Sequence, residues 1–175
     1  DITFCSTKLI NEHLQVFPER TRNYLKGVAS KYAPEKIIKA LDDLKKMKVL
    51  VVGEAIIDEY HYCLPMDKSR KSGVVAYKYL SGESFAGGAL AVASHLAGVC
   101  GGVSLITVTG NDNLFPGFIR KKMNSRIRID NFTRNDSPTI VKRRYIHANQ
   151  KHFEICFMND SPIDRQIEKR LAERV

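Results

Sequence analysis

The chain has 175 residues, of which 43% are hydrophobic and 27% are charged, and its formal net charge is +9. This composition is that of a globular protein and excludes a disordered or collagen-like chain. The length allows one domain of about 100–200 residues, with or without an additional tail. Residue 1 is Asp rather than Met, so we expect a processed chain or a piece of a longer protein.

The pattern of apolar residues predicts helices first and a sheet afterwards. Pro18 and Pro34 each precede a glutamate at a predicted helix start. At Lys48 the pattern changes to a continuous β-branched run, which predicts a strand buried on both faces of a parallel sheet. In chain order we predict helices over 7–14, 18–32 and 34–47, strands over 49–52, 60–64 and 74–80, a helix over 88–97, a strand over 103–108, a helix over 113–123, strands over 127–132, 139–147 and 153–158, and a helix over 163–175. This order predicts an α/β fold with a small antiparallel insertion.

The positive charge is concentrated in one segment. Residues 115–151 contain ten basic and two acidic side chains, whereas the rest of the chain is close to neutral. Such a segment attracts phosphate groups on nucleic acid, on a small substrate or on a membrane surface, or it is simply a solvated basic face.

The cysteines and the uncharged stretch exclude several classes of protein. Cys5, Cys63, Cys100 and Cys156 are widely spaced and contain no CxxC pair, so we predict reduced thiols, no zinc site and a cytoplasmic location. Residues 84–111 carry no Asp, Glu, Lys or Arg, but several glycines divide them into a helix and a strand. We therefore predict no membrane span.

Two segments place chemistry-bearing residues next to predicted strand ends. Glu54 and Asp58 follow the first buried strand, and ligands of open α/β sheets bind at the carboxyl ends of strands. Gly87 and Gly88 lead directly into a helix, where backbone without side chains allows a ligand to approach closely. Alternatively, Glu54 and Asp58 are solvated loop carboxylates, and Gly87 and Gly88 only form a tight strand-to-helix turn.

The basic segment contains a further candidate strand, which begins at Thr139. Lys142 and Arg144 share one face of this strand and could hold a substrate phosphate, whereas Arg143 points to the other face. His147 and His152 have no partner at metal-ligand spacing and are interpreted as surface residues.

Taken together, these segments resemble one known family. The succession of strand-GExxxD, strand-FAGGA-helix, strand-TGND and TIVKRR followed by Asn-Gln is similar to that of the ribokinase-like (PfkB-type) sugar kinases, and most similar to their heptose-phosphate kinase branch. The resemblance runs from about residue 48 to about residue 160. It implies the N-terminal part of a three-layer fold with a small β lid over the sugar, which residues 60–80 and 139–158 would supply.

The resemblance also implies an activity and its site. It implies transfer of the ATP γ-phosphate, with Mg²⁺, to a hydroxyl of a sugar or sugar phosphate. Substrate-binding roles fall on Asp58, Gly87, Gly88, Lys142, Arg144 and Asn149. By this analogy the aspartate binds sugar hydroxyls, the glycines line the sugar pocket, and the other three residues face the substrate or its phosphate. Many such kinases form homodimers through their lids.

The chain departs from the family pattern at two points. Ala91 stands where the family usually has a sugar-contacting Asn. The Gly-Ala-Gly-Asp segment that holds the anion hole and the catalytic base does not occur in these residues, so we assign no catalytic residue here and expect the base in a C-terminal half. Residues 48–175 are then the N-terminal portion of a kinase domain, which on its own we expect to be inactive.

Residues 1–47 are predicted to be a helical tail or linker. The segment 3–10 resembles the segment that closes HxGH-type nucleotidyltransferase domains, with Cys5 in place of one serine. The resemblance implies an upstream nucleotidyltransferase domain and a bifunctional parent that makes nucleotide-activated sugars.

A non-catalytic module remains the alternative. In this interpretation the basic segment binds nucleic acid, or the lid strands mediate oligomerisation. Only a few aromatic side chains lie in the segment, namely Phe115, Phe118, Phe132 and Tyr145, and they form no RNA-binding motif. The sequence therefore disfavours nucleic acid as a partner.

Overall fold

The computed structural model describes residues 17–68, 73–112 and 114–175. They divide into two compact units, the first ending at Asp43 and the second beginning at Leu44. The described helices and strands are, in chain order, α1 (Glu19–Lys31), α2 (Pro34–Leu44), β1 (Lys48–Val52), β2 (Ala55–Lys68), β3 (Val75–Gly88), α3 (Ala89–Val99), β4 (Gly102–Gly110), α4 (Leu114–Lys122), β5 (Ile127–Arg134), β6 (Ile140–His147), β7 (Gln150–Phe157) and α5 (Arg165–Ala172). The predicted helix over 7–14 and the segment 3–10 lie outside the described residues.

The first unit confirms the two helices predicted to follow Pro18 and Pro34. Tyr32 ends α1 in an extended conformation, and its backbone N–H donates to the carbonyl of Val28. Neither helix contains a buried residue, and the apolar side chains of α2, such as Ile38 and Leu41, are exposed.

The second unit contains a parallel sheet with the order β1-β4-β5. The alanine-rich helix α3 packs on one face of this sheet, together with residues of α4. The core on this face includes Leu90, Ala93, Val103, Leu105 and Ile127. Small side chains on α3 allow its backbone to lie close to the strands, so the helix packs tightly on this face of the sheet.

The prediction that β1 is buried on both faces is wrong. Leu50 and Val52 are 41% and 52% exposed. On their side of the sheet, α5 contributes Ile167 to a small core with Ile106 of β4 and Phe132 of β5, and neither Leu50 nor Val52 belongs to this core. Within the described part of the chain β1 pairs only with β4, so it is an edge strand with one uncovered face.

The second sheet of this unit has the order β3-β2-β6-β7, and we call it the lid sheet. It is mixed rather than antiparallel as predicted. β2 pairs with β6 in parallel and with β3 antiparallel, and β6 pairs with β7 antiparallel. The parallel pair has a simple cause. β2 follows β1 and β6 follows β5, and the parallel strands β1 and β5 both end at the same edge of the first sheet.

β2 and β3 are also much longer than predicted, with 14 residues each. Their pairing runs from Lys68 opposite Val75 as far as Ala55 opposite Gly88. The glycines of β3 disfavour a strand, but the cross-strand pairing with β2 overrides that preference. Asp58 consequently lies on lid strand β2 and not in a loop after β1.

The uncharged stretch 84–111 contains the end of β3, α3 and β4. This confirms its division into a helix and a strand around Gly98 and Gly101. None of the helices in the described ranges is long and apolar enough to cross a membrane.

Candidate functional site

Gly88 is the last residue of β3 and leads into α3 beside the segment that follows β1. The N–H of Ala89 donates to the carbonyl of Glu54 at 3.0 Å, and the N–H of Gly53 donates to the carbonyl of Ile106 at 3.1 Å. Gly88 has a φ of 53°, and a Cβ there would lie 2.7 Å from the Glu54 carbonyl oxygen. Both observations require glycine, because L side chains rarely adopt this conformation and the carbonyl leaves no room.

Gly87 allows the Asp58 carboxylate to lie against the backbone of β3. Gly87 is buried and pairs with Ile56, and a Cβ at this position would overlap Oδ2 of Asp58. The two adjacent glycines thus have different roles, since Gly88 makes the turn into α3 and Gly87 makes room for a carboxylate.

The strand register gathers several of the predicted residues on one face of the lid sheet. Asp58 lies opposite Lys142, which lies opposite Cys156, and Tyr60, Arg144 and Glu154 form the next row. We call this surface the Asp58 face; it includes Asp58, Tyr60, Glu83, Phe85, Lys142, Arg144, Glu154 and Cys156. The predicted division of the β6 side chains, with Arg143 on the opposite face, agrees with this register.

Arg144 bridges two carboxylates on the Asp58 face. Its Nη1 donates to Oδ1 of Asp58 at 2.5 Å, and its Nε lies 2.7 Å from Oε2 of Glu154. The guanidinium also stacks over the ring of Tyr60, with 5.2 Å to the centroid. The three charged side chains are only 15–27% exposed, so their geometry is restricted by packing as well as by charge.

The charges around Arg144 shift two pKa values. Partial burial lowers the pKa of Arg144, but the hydrogen bond to Asp58 and the charges of Asp58 and Glu154 outweigh burial and leave the pKa above its usual value. Partial burial likewise raises the pKa of Glu154, while a hydrogen bond from Cys156 and the charges of Arg144 and Lys151 bring it below its usual value. Arg144 and Glu154 are both charged at neutral pH.

The opposite surface of the lid sheet, which we call the Arg143 face, is rich in aromatic rings. Nε of Arg143 donates to Oε2 of Glu59 at 2.6 Å, and this hydrogen bond raises the pKa of Arg143. Tyr145 and Phe153 stack with 4.4 Å between their centroids, and His61 lies edge-on to Tyr145. The Arg143 face includes Glu59, His61, Tyr79, Arg143, Tyr145, Phe153, Ile155 and Phe157.

Asn149 is not part of the Asp58 face. It lies at the exposed tip of the β6–β7 hairpin, where Ala148 and Asn149 have φ values of 47° and 63°. Positive φ at both central residues is typical of a type I′ hairpin turn, and Asn is well suited to it. The hairpin turn therefore explains why an asparagine is suited to position 149. This position lies several strand positions away from Asp58.

The two histidines near this hairpin make local contacts. Nδ1 of His147 lies 3.1 Å from the carbonyl oxygen of Cys63, and Nδ1 of His152 lies 3.2 Å from the hydroxyl of Tyr77. His147 is half-buried rather than on the surface as predicted, because the long strand β2 runs beside it. Across the described ranges, no three His, Cys, Asp or Glu side chains are grouped so that they could hold a metal ion.

A cleft of about 570 Å³ lies at the carboxyl ends of β1 and β4. Glu54, which the sequence singles out at the end of the first strand, lines this cleft, but the sequence analysis assigns no role to Arg134 or to the buried hydroxyl of Thr107. Arg134 is 7% exposed and is held by Asp136 and by the carbonyl of Ser161. Thr107 is 1% exposed, and its Oγ1 has no hydrogen-bond partner among the described residues. No sequence signal distinguishes Thr107, because its burial depends on which face of β4 is covered.

The turn over residues 110–112 connects this cleft to the lid sheet. The Asp112 carboxylate accepts hydrogen bonds of 2.7 Å from the backbone N–H and from the hydroxyl of Thr139. Thr139 is fully buried and directly precedes β6. Asp112 thereby fixes the start of the strand that carries Lys142 and Arg144.

Comparison with known proteins gives a sequence relative and a fold. No family model matches the chain. The bifunctional protein HldE of Yersinia pestis is 30% identical over 139 residues, which are 76% of this chain and 29% of that protein. The crystal structure of phosphofructokinase-2 from Escherichia coli in complex with fructose-6-phosphate matches with a TM-score of 0.52 at 10% identity, over 74% of this chain and 40% of that one. A carbohydrate kinase from Agrobacterium tumefaciens matches at 18% identity with a TM-score of 0.45, over 62% of this chain and 34% of that one.

The similarity to HldE and the match to the phosphofructokinase-2 structure confirm the fold inferred from the motifs. The chain has a partial ribokinase-like (PfkB-type) carbohydrate kinase fold, an α/β fold with one parallel and one mixed sheet, and it is distantly similar to HldE. It spans less than a third of the length of the curated relatives that it matches.

Proposed function

We propose that this chain is the acceptor-binding part of a carbohydrate kinase, which transfers the γ-phosphate of ATP to a hydroxyl of a sugar or sugar phosphate. The observation that carries the proposal is the Asp58 carboxylate, which lies against the Gly87 backbone and is held by Arg144 in a ribokinase-like fold. A carboxylate in this setting accepts hydrogen bonds from sugar hydroxyls, and the side-chain-free backbone lets the ring approach.

The proposed roles follow from these positions. Asp58 binds acceptor hydroxyls, Gly87 and Gly88 line the pocket, and Lys142 and Arg144 face the substrate or its phosphate. Asn149 lies at the hairpin tip, outside the Asp58 face. It would therefore contact a substrate only at the margin of the lid sheet.

The reaction itself needs groups beyond these. A bond forms between the acceptor oxygen and the γ-phosphorus, the bond to the β,γ-bridging oxygen breaks to leave ADP, and the hydroxyl proton passes to a base. We assign no described residue as that base. Mg²⁺ prefers several oxygen ligands, and the described residues contain no such cluster, so we derive no step through Mg²⁺ or ATP from them.

We further propose that residues 1–47 are the end of an upstream nucleotidyltransferase domain and that the parent protein is bifunctional. The support is the resemblance of the segment 3–10 to such a domain and the similarity to a protein named as bifunctional. The free thiols of Cys63, Cys100 and Cys156 support a cytoplasmic location for the reaction.

The arrangement of charges favours this proposal over nucleic-acid binding. Three arginines of the basic segment are paired with carboxylates, namely Arg134, Arg143 and Arg144. Arg143 and Arg144 also lie on opposite faces of the lid sheet. A nucleic-acid interface needs cations that share one surface and remain available to phosphates.

The proposal makes a prediction about the chain by itself. The purified 175-residue chain should show no ATP-dependent phosphorylation of any sugar or sugar phosphate, because it contributes acceptor-binding residues and no assigned base. Coupled measurement of ADP release over a panel of six- and seven-carbon sugars, with and without a terminal phosphate, tests this. The full-length parent serves as the positive control. Turnover by the chain alone would contradict our assignment of the base to another part of the protein.

We also propose that the Arg143 face pairs with the same face of a second copy of the chain. The face exposes Phe153 and Phe157, and its two ionic side chains, Glu59 and Arg143, neutralise each other. A neutral, aromatic face allows two chains of net charge +9 to approach in a symmetric contact.

Phe153→Glu should therefore convert a dimer into a monomer in sedimentation equilibrium, because two buried carboxylates would face each other across the contact. Val92→Glu is the matched control, since Val92 is also an exposed apolar residue but lies on α3. Equal self-association of wild type and Phe153→Glu would rule out this surface as the contact.

A further inference from the structure

Arg144 is a poor phosphate ligand in its present surroundings. Two of its nitrogens are engaged by Asp58 and Glu154, and the three side chains together carry a charge of one negative unit. A phosphate approaching the guanidinium would also approach both carboxylates, whose repulsion offsets the attraction of the single cation. A neutral hydroxyl meets no such repulsion and can donate to either carboxylate.

Lys142 is placed differently. It occupies the row of Asp58 and Cys156 on the Asp58 face, and among residues 17–68, 73–112 and 114–175 no carboxylate lies within 4 Å of its ammonium group. Its charge is near enough to Glu154 to contribute to the lowered pKa of that carboxyl, so it belongs to the same electrostatic environment. Lys142 is thus a half-buried cation with donors available to a ligand.

We propose that Glu154 withholds Arg144 from phosphate, so that Arg144 acts as a positioning residue for Asp58 while Lys142 receives the anionic group of the substrate. The Asp58 face then accepts neutral hydroxyls at Asp58, Arg144 and Glu154 and a phosphate at Lys142. This inference rests on the proposed function, in that it assigns the parts of a phosphorylated sugar to the residues of the same site.

The packing around Arg144 agrees with a positioning role. The Tyr60 ring covers one side of the guanidinium, and the ring of Phe85 lies edge-on to Tyr60 at 5.5 Å. With Glu154 at Nε and Asp58 at Nη1, the guanidinium has little freedom to turn toward a ligand. A lysine at this position could not make the two-point bridge, because its ammonium group lacks the planar fork.

The experiment measures the affinity of the 175-residue chain for inorganic phosphate, by chemical-shift titration at pH 7 and low salt, without ATP or turnover. We expect Glu154→Gln to strengthen phosphate binding by about fivefold, because it frees Arg144 and removes a repulsive charge. Lys142→Gln should weaken it by about fivefold, whereas Lys78→Gln, an exposed lysine on β3 of the same sheet, should change it less than about twofold. A gain of affinity on removing Glu154 is a result that a purely structural role would not produce.

A double-mutant cycle separates the release of Arg144 from the general change in charge. In the Arg144→Gln background the gain caused by Glu154→Gln should fall by at least about half, since no guanidinium remains to be freed. The inference is overturned if wild type binds no phosphate, if Lys142→Gln has no effect, or if Glu154→Gln gives no gain. Because no phosphoryl transfer is measured, these outcomes are distinct from a failure of the proposed kinase activity. Thermal melts of each variant verify that the fold is retained.

Discussion

Asp58→Asn is expected to lower kcat/KM of the full-length protein for its acceptor sugar by about 10- to 100-fold, with the affinity for ATP unchanged. The substitution keeps the size of the side chain and removes the charge that accepts hydrogen bonds from the sugar. It also removes one partner of Arg144, so the remaining amide is held less firmly. Steady-state kinetics with varied sugar at saturating ATP, and with varied ATP at saturating sugar, measure the two effects separately.

The neighbouring residue provides a matched control. Glu59 follows Asp58 on β2, carries the same charge and also pairs with an arginine, but it lies on the Arg143 face. Glu59→Gln should therefore leave the acceptor kinetics within about twofold of wild type, since exposed or partly exposed ion pairs contribute little. Comparable losses in both variants would indicate a general effect on the lid sheet and not a sugar contact.

Asp58→Asn also distinguishes a sugar kinase from a nucleic-acid-binding module. A nucleic-acid-binding module would gain or keep affinity on loss of the Asp58 carboxylate. Lys142→Ala with Arg144→Ala would then flatten the salt dependence of nucleic-acid binding by about one unit for each phosphate that is no longer bound. If Asp58→Asn leaves sugar kinetics untouched, the site assignment fails although the fold stands.

The sequence predicted the parallel sheet well because local signals coincide with tertiary ones there. The β-branched run before Gly53 and the glycines at 98 and 101 mark strand and helix ends that the structure retains. The register within β6 also followed from alternation alone, which placed Lys142 and Arg144 on one face. In these segments the ends of each strand or helix, and the alternation of side chains along a strand, follow from its own residues.

The site could not be predicted completely because it depends on partners from distant segments. Glu154 carried no sequence signal, and its contact with Arg144 arises from the β6–β7 register, which shifts between Tyr145 and Ile146. Asp58 was expected after the end of β1 and before a strand beginning at Tyr60, whereas cross-strand pairing extends β2 back to Ala55. The exposure of Leu50 and Val52 likewise depends on which elements cover β1, and a strand's own residues do not determine this.

The requirement for glycine at position 88 predicts a large loss of stability on substitution at the junction between β3 and α3. Gly88→Ala places a Cβ at a φ of 53° and against the Glu54 carbonyl, so we expect a loss of about 2–3 kcal/mol in the free energy of unfolding. Either the strained conformation persists, or the backbone shifts and the hydrogen bond from Ala89 to Glu54 is lost. Urea unfolding of the 175-residue chain, followed by circular dichroism, measures the change.

Gly98→Ala is the control, because it is the same substitution ten residues along the chain and on α3. Gly98 is exposed, has no positive φ, and a Cβ there would meet nothing within 4 Å. Alanine has the higher helix propensity, so this variant should gain about 0.5–1 kcal/mol. Opposite signs for the two substitutions would show that the cost at Gly88 comes from the junction between β1, the lid sheet and α3, which also holds Gly87 against Asp58. A neutral Gly88→Ala would mean that this junction is not the rigid support that the acceptor site requires.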